Sequence, residues 1–153
     1  MTRLFTLLPE AVETVRLDTK PLILQRLADR FAAVYGLDRA LVLDRIEERE
    51  RLGSTGFGRG VAIPHARVGA LPRPVAVFFR LEEPVDFDAA DGIPVDLVFG
   101  LLSPESAGTA HLHALAAISR MMRDERMHDA LAGTPDPDAL YGLLCNVDDR
   151  DAA

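Results

Sequence analysis

Apolar residues at helical spacing predict two consecutive helices in the first third of the chain. The first is predicted to begin after Thr19, a good capping residue, with Pro21 in its first turn, and to end at Gly36. Its apolar positions are Leu22, Leu24, Leu27, Phe31 and Val34, which recur at helical spacing. Asp38 is predicted to cap the second helix, which ends near Gly53.

The rest of the chain shows a set of strands followed by more helices. The predicted strands cover residues 12–17, 61–63, 75–81 and 95–102. The last two are rich in β-branched and apolar residues, as buried strands are. The predicted helices cover about residues 107–122 and 124–131, and a last one starts near residue 136. Helices before and after a central set of strands predict an α/β or α+β sandwich with a covered sheet.

Length and composition fit one globular domain spanning residues 1–153, because 48% of the residues are hydrophobic. No stretch approaches the roughly 20 apolar residues that cross a bilayer, so membrane insertion is not expected. The apolar patch at the N-terminus is too short for the core of a signal peptide. The lone Cys145 has no partner for an internal disulfide, which fits a reducing compartment. These features predict a cytoplasmic protein.

The charge balance argues against nucleic-acid binding. The formal net charge is −7, from 17 basic and 24 acidic residues, and no basic footprint of the kind that nucleic-acid binding leaves is visible. The arginines are mostly single residues among acids, as on a solvated helix face. An acidic surface would suit a basic protein partner.

Histidines are the side chains best suited to chemistry in this chain. They are His65, His111, His113 and His128. His65 follows a proline at the end of a predicted strand, where side chains of α/β proteins commonly gather into sites. A structural histidine satisfied by hydrogen bonds is the alternative. His128 lies in a short polar helix and is expected at the surface.

Helix geometry separates the histidines of the His111-Leu112-His113 segment. At about 100° per residue the two rings point roughly 160° apart, so they cannot chelate one metal ion from a helix. His111 shares its face with Leu115 and Ile118 and is expected inward, whereas His113 is expected to face water. His111 lies in the first turn, where the helix dipole favours an anion. The alternative is a core-edge histidine bonded to a carbonyl.

Other chemistries find weaker support. Residues 53–60 are rich in glycine, but Arg59 and Gly60 stand where a P-loop has lysine and serine or threonine, so nucleotide binding is rejected. The chain lacks a Gly-x-Ser-x-Gly nucleophile elbow. A metal-dependent hydrolase using His65 and His111 stays as an alternative, although zinc chemistry needs more convergent ligands.

A long motif carries a family resemblance. Residues 49–65 read Arg49-Glu50-Arg51-Leu52-Gly53-Ser54-Thr55-Gly56-Phe57-Gly58-Arg59-Gly60-Val61-Ala62-Ile63-Pro64-His65. This run resembles the signature of IIA domains of the fructose–mannitol type in the bacterial phosphotransferase system. Three further motifs are Pro84-Val85-Asp86-Phe87-Asp88-Ala89, Pro94-Val95-Asp96-Leu97 and His111-Leu112-His113-Ala114-Leu115. They resemble the nitrogen-regulatory branch of that family, so the likeness covers almost the whole chain.

The resemblance implies a fold and a site. The implied fold is α/β, with a mixed central β-sheet flanked by helices on both faces, as in the mannitol-type IIA domains. His65 is the implied phosphoryl acceptor, with Arg49 and His111 in the same pocket and a phosphocarrier of the HPr class as donor. The hydroxyls of Ser54 and Thr55 are predicted as further phosphate ligands. Because phosphoryl transfer is mostly positioning and charge stabilisation, no metal or cofactor is expected.

The implied role is regulatory. A phosphocarrier of the nitrogen-regulatory branch would signal in nitrogen, carbon or potassium regulation, without metabolic turnover of its own. The alternative is a transport-type IIA protein that passes phosphate to a sugar-specific IIB partner. One residue departs from the family pattern, because Ala66 stands where a glycine usually follows Pro-His. If that position needs a positive φ, alanine costs on the order of 1 kcal/mol.

Overall fold

Six strands form one mixed β-sheet in the computed structural model, which describes residues 4–69 and 71–152, with side chains up to Cys145. The extreme ends of the predicted domain, residues 1–3 and 153, lie outside this description. The strands are β1 (Val12–Val15), β2 (Gly56–Gly58), β3 (Val61–Ala62), β4 (His65–Val68), β5 (Val75–Val85) and β6 (Val95–Pro104). The helices are α1 (Lys20–Tyr35), α2 (Arg39–Arg51), α3 (Thr109–Arg123), α4 (Glu125–Ala132) and α5 (Pro137–Ala152). A short 3-10 turn, Pro9–Ala11, precedes β1.

The two long strands β5 and β6 pair antiparallel at the centre of the sheet. The strand order is β1-β5-β6-β3-β2, and β4 adds to β6 beyond the end of β3. β1 runs parallel to β5, and both β3 and β4 run parallel to β6. The sheet is therefore mixed, as the family resemblance implied.

Both faces of the sheet are covered. Every residue of β6 except Asp96 is buried, which requires packing on both sides of the strand. Helix α1 lies so close to the sheet that a Cβ on Gly100 would come within 3.0 Å of Leu27 and 3.1 Å of Phe31. The predicted α/β fold is confirmed. Among the described residues, no helix has both the length and the apolar character needed to span a bilayer.

Capping residues set the first helices where the sequence predicts them. The Thr19 hydroxyl accepts a hydrogen bond from the backbone N–H of Leu22 at 3.3 Å. The Asp38 carboxylate likewise accepts hydrogen bonds from the backbone N–H groups of Ala40 and Leu41 at the start of α2. At the end of α1, Gly36 adopts φ 68° and ψ 37°, a left-handed conformation that favours glycine. Local signals thus determine both helix boundaries.

The strands depart from the prediction in three places. The glycine-rich segment 53–60, expected to be a loop, contains the short strand β2. Strand β4 was not predicted, because residues 65–68 are too few to show a pattern and gain their hydrogen bonds from β6. Strand β5 continues past residue 81 to Val85, which pairs with Val95. In each case a partner strand supplies the order that the segment's own sequence does not signal.

His128 is not the surface residue that its polar helix suggested. Its Nε2 lies 3.0 Å from one carboxylate oxygen of Asp96 and 3.3 Å from the other. The hydrogen bond to Asp96 raises the pKa of His128 above its usual value. This pair ties α4 to the start of β6. Gly60 leaves the space for it, because a Cβ there would lie 2.9 Å from Asp96 and 3.2 Å from the His128 ring.

Gly60→Ala should therefore destabilise the protein more than Gly36→Ala. Both glycines have left-handed φ values, 81° and 68°, so each substitution costs about 1–2 kcal/mol of backbone strain. At Gly36 an added Cβ meets nothing within 4 Å, whereas at Gly60 it strikes Asp96. Urea unfolding of the two variants measures the difference. An equal loss of unfolding free energy in the two variants would contradict this, because it would show that Asp96 and His128 move aside at no cost.

Candidate functional site

An open cavity of about 310 Å³ lies where α2, β4 and the first turn of α3 meet. Its lining residues are Arg45, Glu48, Arg49, Leu52, His65, Ala66, Arg67 and His111. Three of the five residues predicted for the site, His65, Arg49 and His111, line this cavity together. The cavity carries three arginines against one glutamate, so its walls favour an anion.

His65 opens β4 and presents one free ring nitrogen. Its Nδ1 lies 2.7 Å from the backbone carbonyl oxygen of Ile63. Because a carbonyl oxygen only accepts, Nδ1 carries the proton and Nε2 keeps its lone pair. Burial lowers the pKa of His65, the bond to Ile63 opposes this shift, and the charge of Arg49 lowers the pKa further. The ring is therefore neutral near pH 7, with Nε2 as a nucleophile.

His111 lies inside the cavity wall, as helix geometry predicted. It is 5% exposed and shares the buried face of α3 with Ile118, whereas His113 is exposed. Its ring centroid lies 5.6 Å from that of His65. Burial is the main cause, together with the proximity of His65 and the positive charge of Arg67, that lowers the pKa of His111 to about 4. The predicted orientations of His111 and His113 are confirmed, and the inward ring is neutral.

Arg49 is held at the C-terminal end of α2. Its Nη1 donates a hydrogen bond to the carbonyl oxygen of Gly53 at 2.8 Å. A guanidinium has five N–H groups, so this bond leaves donors for a phosphoryl group. The contact also ties Arg49 to the loop that follows α2 and restricts its orientation beside His65.

Arg45 and Arg67 line the cavity but were not predicted for the site. Two signals in the sequence could have identified them. Arg45 precedes Arg49 by four residues and so lies on the same face of α2. Arg67 follows His65 by two residues and so lies on the same face of β4. Side-chain periodicity, applied to the predicted site residues, points to both arginines.

The hydroxyls of Ser54 and Thr55 have protein partners. The Ser54 hydroxyl donates to the carbonyl oxygen of Phe87 at 2.6 Å and accepts from the N–H of Gly56 at 3.0 Å. The Thr55 hydroxyl donates to the Glu50 carboxylate, which also accepts from the Thr55 N–H at 3.2 Å. Neither residue lines the cavity. Phosphate binding by Ser54 and Thr55 stays a prediction, and their contacts favour a role in holding the loop.

A buried ion pair supports this loop from below. The carboxylate of Glu50 is only 5% exposed, and Lys20 Nζ lies 2.8 Å from it. Lys20 also sits 4.7 Å from the ring centroid of Phe87. Since Glu50 follows Arg49 directly in α2, these contacts fix the helix end from which Arg49 reaches the cavity.

Ala66 fits its position without backbone strain. In the described part of the chain, Arg59 and Asp88 are the residues other than glycine with positive φ, and Ala66 is extended in β4 opposite Leu102. Alanine in place of the family glycine therefore causes none of the backbone strain that a positive φ would bring. Ala66 lies between the cavity-lining residues His65 and Arg67, and it packs against the hydrophobic core.

The metal-dependent alternative gains no ligand set from the structure. Among the described residues, no group of three or more His, Cys, Asp or Glu side chains is placed to hold a metal ion. Catalytic zinc sites use three protein ligands, and His65 and His111 provide two.

Comparisons with known proteins point in one direction. The family profile described as "Phosphoenolpyruvate-dependent sugar phosphotransferase system, EIIA 2" matches residues 7–147. A nitrogen regulatory protein of Bradyrhizobium diazoefficiens is 42% identical over 137 residues, 89% of this chain and 90% of that protein. The crystal structure of nitrogen regulatory protein IIA-Ntr from Neisseria meningitidis matches with a TM-score of 0.84 and 32% identity, over 90% of this chain and 95% of that one. IIA mannitol from Escherichia coli shares the fold, with a TM-score of 0.76 and 24% identity over 92% of this chain and 99% of that one.

The neutral state of His111 should make stability depend on pH. His111 has a pKa of about 4 in the folded protein and an ordinary value of 6.5. Between these pH values the unfolded chain binds more protons, so the free energy of unfolding falls as pH drops from about 6.5 to about 4. Urea unfolding at pH 7 and pH 4.5 should show a larger fall for the wild type than for His111→Gln. An identical fall in both proteins would contradict the neutral buried ring.

Proposed function

The chain belongs to the EIIA 2 family of the phosphoenolpyruvate-dependent sugar phosphotransferase system, and from this premise we propose that His65 accepts and releases its phosphoryl group. The observation that carries this assignment is the neutral His65 ring, whose Nδ1 is bonded to Ile63 while Nε2 is free. The His65 ring lines a cavity that three arginines also line.

The transfer step follows from the protonation of the ring. The Nε2 lone pair attacks phosphorus, the N–P bond of the donor breaks, and its electron pair returns to the donor ring. The proton of His65 stays on Nδ1 and remains hydrogen-bonded to the Ile63 carbonyl oxygen, which stabilises the positive charge that the ring gains. A ring with this character is a good leaving group, so the phosphoryl group can be passed on. Arg49 and the neighbouring arginines stabilise the phosphoryl charge.

The proposed donor is a phosphocarrier protein of the HPr class, which would carry its phosphoryl group on a histidine. Support comes from the family membership and from the open cavity, where His65 is only partly buried. The net charge of −7 suits a basic protein partner through long-range attraction.

The proposed output is regulatory signalling, in nitrogen, carbon or potassium regulation. It is supported by similarity to relatives that are named nitrogen regulatory proteins. Transport is the second candidate, and the family description, which names a sugar phosphotransferase system, favours it. Incubating the phosphorylated protein with sugar-specific IIB proteins separates the two, because only a transport component would lose its phosphoryl group to one of them.

His65→Ala should abolish phosphorylation by the HPr-class carrier while the fold persists. Intact-mass measurement after incubation should show one added phosphoryl group on the wild type and none on the variant. His113→Ala is the matched control, because His113 is exposed on α3 and should leave labelling unchanged. Acid-labile labelling that persists in His65→Ala would refute the assignment.

Arg49→Lys should slow the transfer to His65. Lysine keeps the charge but loses the bidentate geometry of the guanidinium, and one charge-assisted hydrogen bond corresponds to about 1.5–3 kcal/mol in the barrier. Arg51→Lys is the control, because Arg51 is exposed on the same helix and does not line the cavity. Rapid-quench measurement of the labelling rate compares them. Equal rates would place Arg49 among the solvated surface charges.

A further inference from the structure

Ser103 is a buried hydroxyl in an otherwise apolar strand end. It is 0% exposed, and its neighbours Leu101 and Leu102 are buried as well. In β6 it lies opposite Arg67 of β4. A polar side chain in such surroundings costs free energy unless it forms a hydrogen bond. Packing alone would be served by an apolar residue, so the hydroxyl needs a separate explanation.

The partner of the Ser103 hydroxyl is the ring of His111. Ser103 Oγ lies 2.6 Å from His111 Nδ1, and among the residues that the structure describes this hydroxyl makes no other hydrogen bond. Two arrangements fit this contact. Either the ring donates Nδ1–H to the oxygen, or the hydroxyl donates its proton to an unprotonated Nδ1.

Counting donors decides between the two arrangements. If Nδ1–H donated, the serine O–H would be a buried donor without an acceptor, and no hydrogen bond would offset its desolvation. If the hydroxyl donates, every proton in the contact has an acceptor, and only serine lone pairs remain unused. The second arrangement is the satisfied one. It leaves His111 with its proton on Nε2.

We propose that Ser103 is a positioning residue that holds His111 in the Nε2–H form, so that His111 donates a hydrogen bond to the phosphoryl group on His65. The inference rests on the proposed function of His65. The two rings, 5.6 Å apart, then have opposite forms: His65 offers a lone pair at Nε2, and His111 offers an N–H. A neutral His111 can donate from Nε2 only in this form.

Ring-nitrogen NMR tests the assignment without any phosphoryl transfer. In protein labelled with ¹⁵N in histidine, the His111 Nδ1 signal should lie in the range of an unprotonated nitrogen and the Nε2 signal in that of a protonated one. His65 should show the reverse pattern. A protonated Nδ1 on His111 in the wild type would overturn the inference and leave the proposed function of His65 intact.

A double-mutant cycle tests the effect on transfer, with phosphoramidate as a small-molecule phosphoryl donor. Ser103→Ala should slow labelling of His65 by about fivefold, the scale of one hydrogen bond. In a His111→Ala background the same change should have no further effect, because Ser103 acts through that ring. In protein that retains His111, Ser103→Thr keeps the hydroxyl and should label His65 at the wild-type rate.

The outcomes separate the two hypotheses. An equal slowing by Ser103→Ala with and without His111 would show a merely structural serine and overturn the inference. The melting temperature of each variant shows whether the fold is retained. The NMR test is made on the wild-type protein, so it does not depend on how the variants fold. A wild-type protein that no phosphoryl donor labels would instead refute the proposed function, and this inference with it.

Discussion

The parallel pairing of β4 with β6 is the constraint on which the site depends. It sets His65 opposite Leu101 and Arg67 opposite Ser103. The chain leaving β6 turns into α3, whose first turn carries His111 back over the same strand ends. A shift of one residue in this register would turn His65 and Arg67 to the other face of the sheet. One short ladder thus brings the two histidines together.

Burial and charge act on this pair of rings in the same direction. Desolvation lowers the pKa of both, and the arginines around the cavity disfavour further positive charge. The cavity therefore holds neutral imidazoles in a site whose walls attract an anion. This combination suits a ring that must act as a nucleophile toward a charged phosphoryl group. The hydrogen bonds at each Nδ1 then determine which ring has a free lone pair.

The approach of Arg49 depends on a second, separate set of contacts. Glu50 joins Lys20 at the start of α1 to Thr55 in the loop after α2. These contacts are buried, and loss of one partner would leave an unpaired charge in the core, which is strongly destabilising. The end of α2 is therefore held firmly, although Arg49 itself is partly exposed. Positioning by a rigid element of this kind is what phosphoryl transfer requires.

The sequence by itself determined the features that depend on near neighbours. Caps such as Thr19 and Asp38 gave the helix boundaries, the motif ending at His65 gave the family, and helical phase sent His111 inward and His113 outward. The tertiary structure alone decided which polar groups meet. Ser54 bonds to Phe87, and Thr55 bonds to Glu50 of α2. His128 pairs with Asp96, and Ser103 pairs with His111. Local signals are encoded within a few residues, whereas these contacts depend on strand register and helix packing, which no short segment specifies.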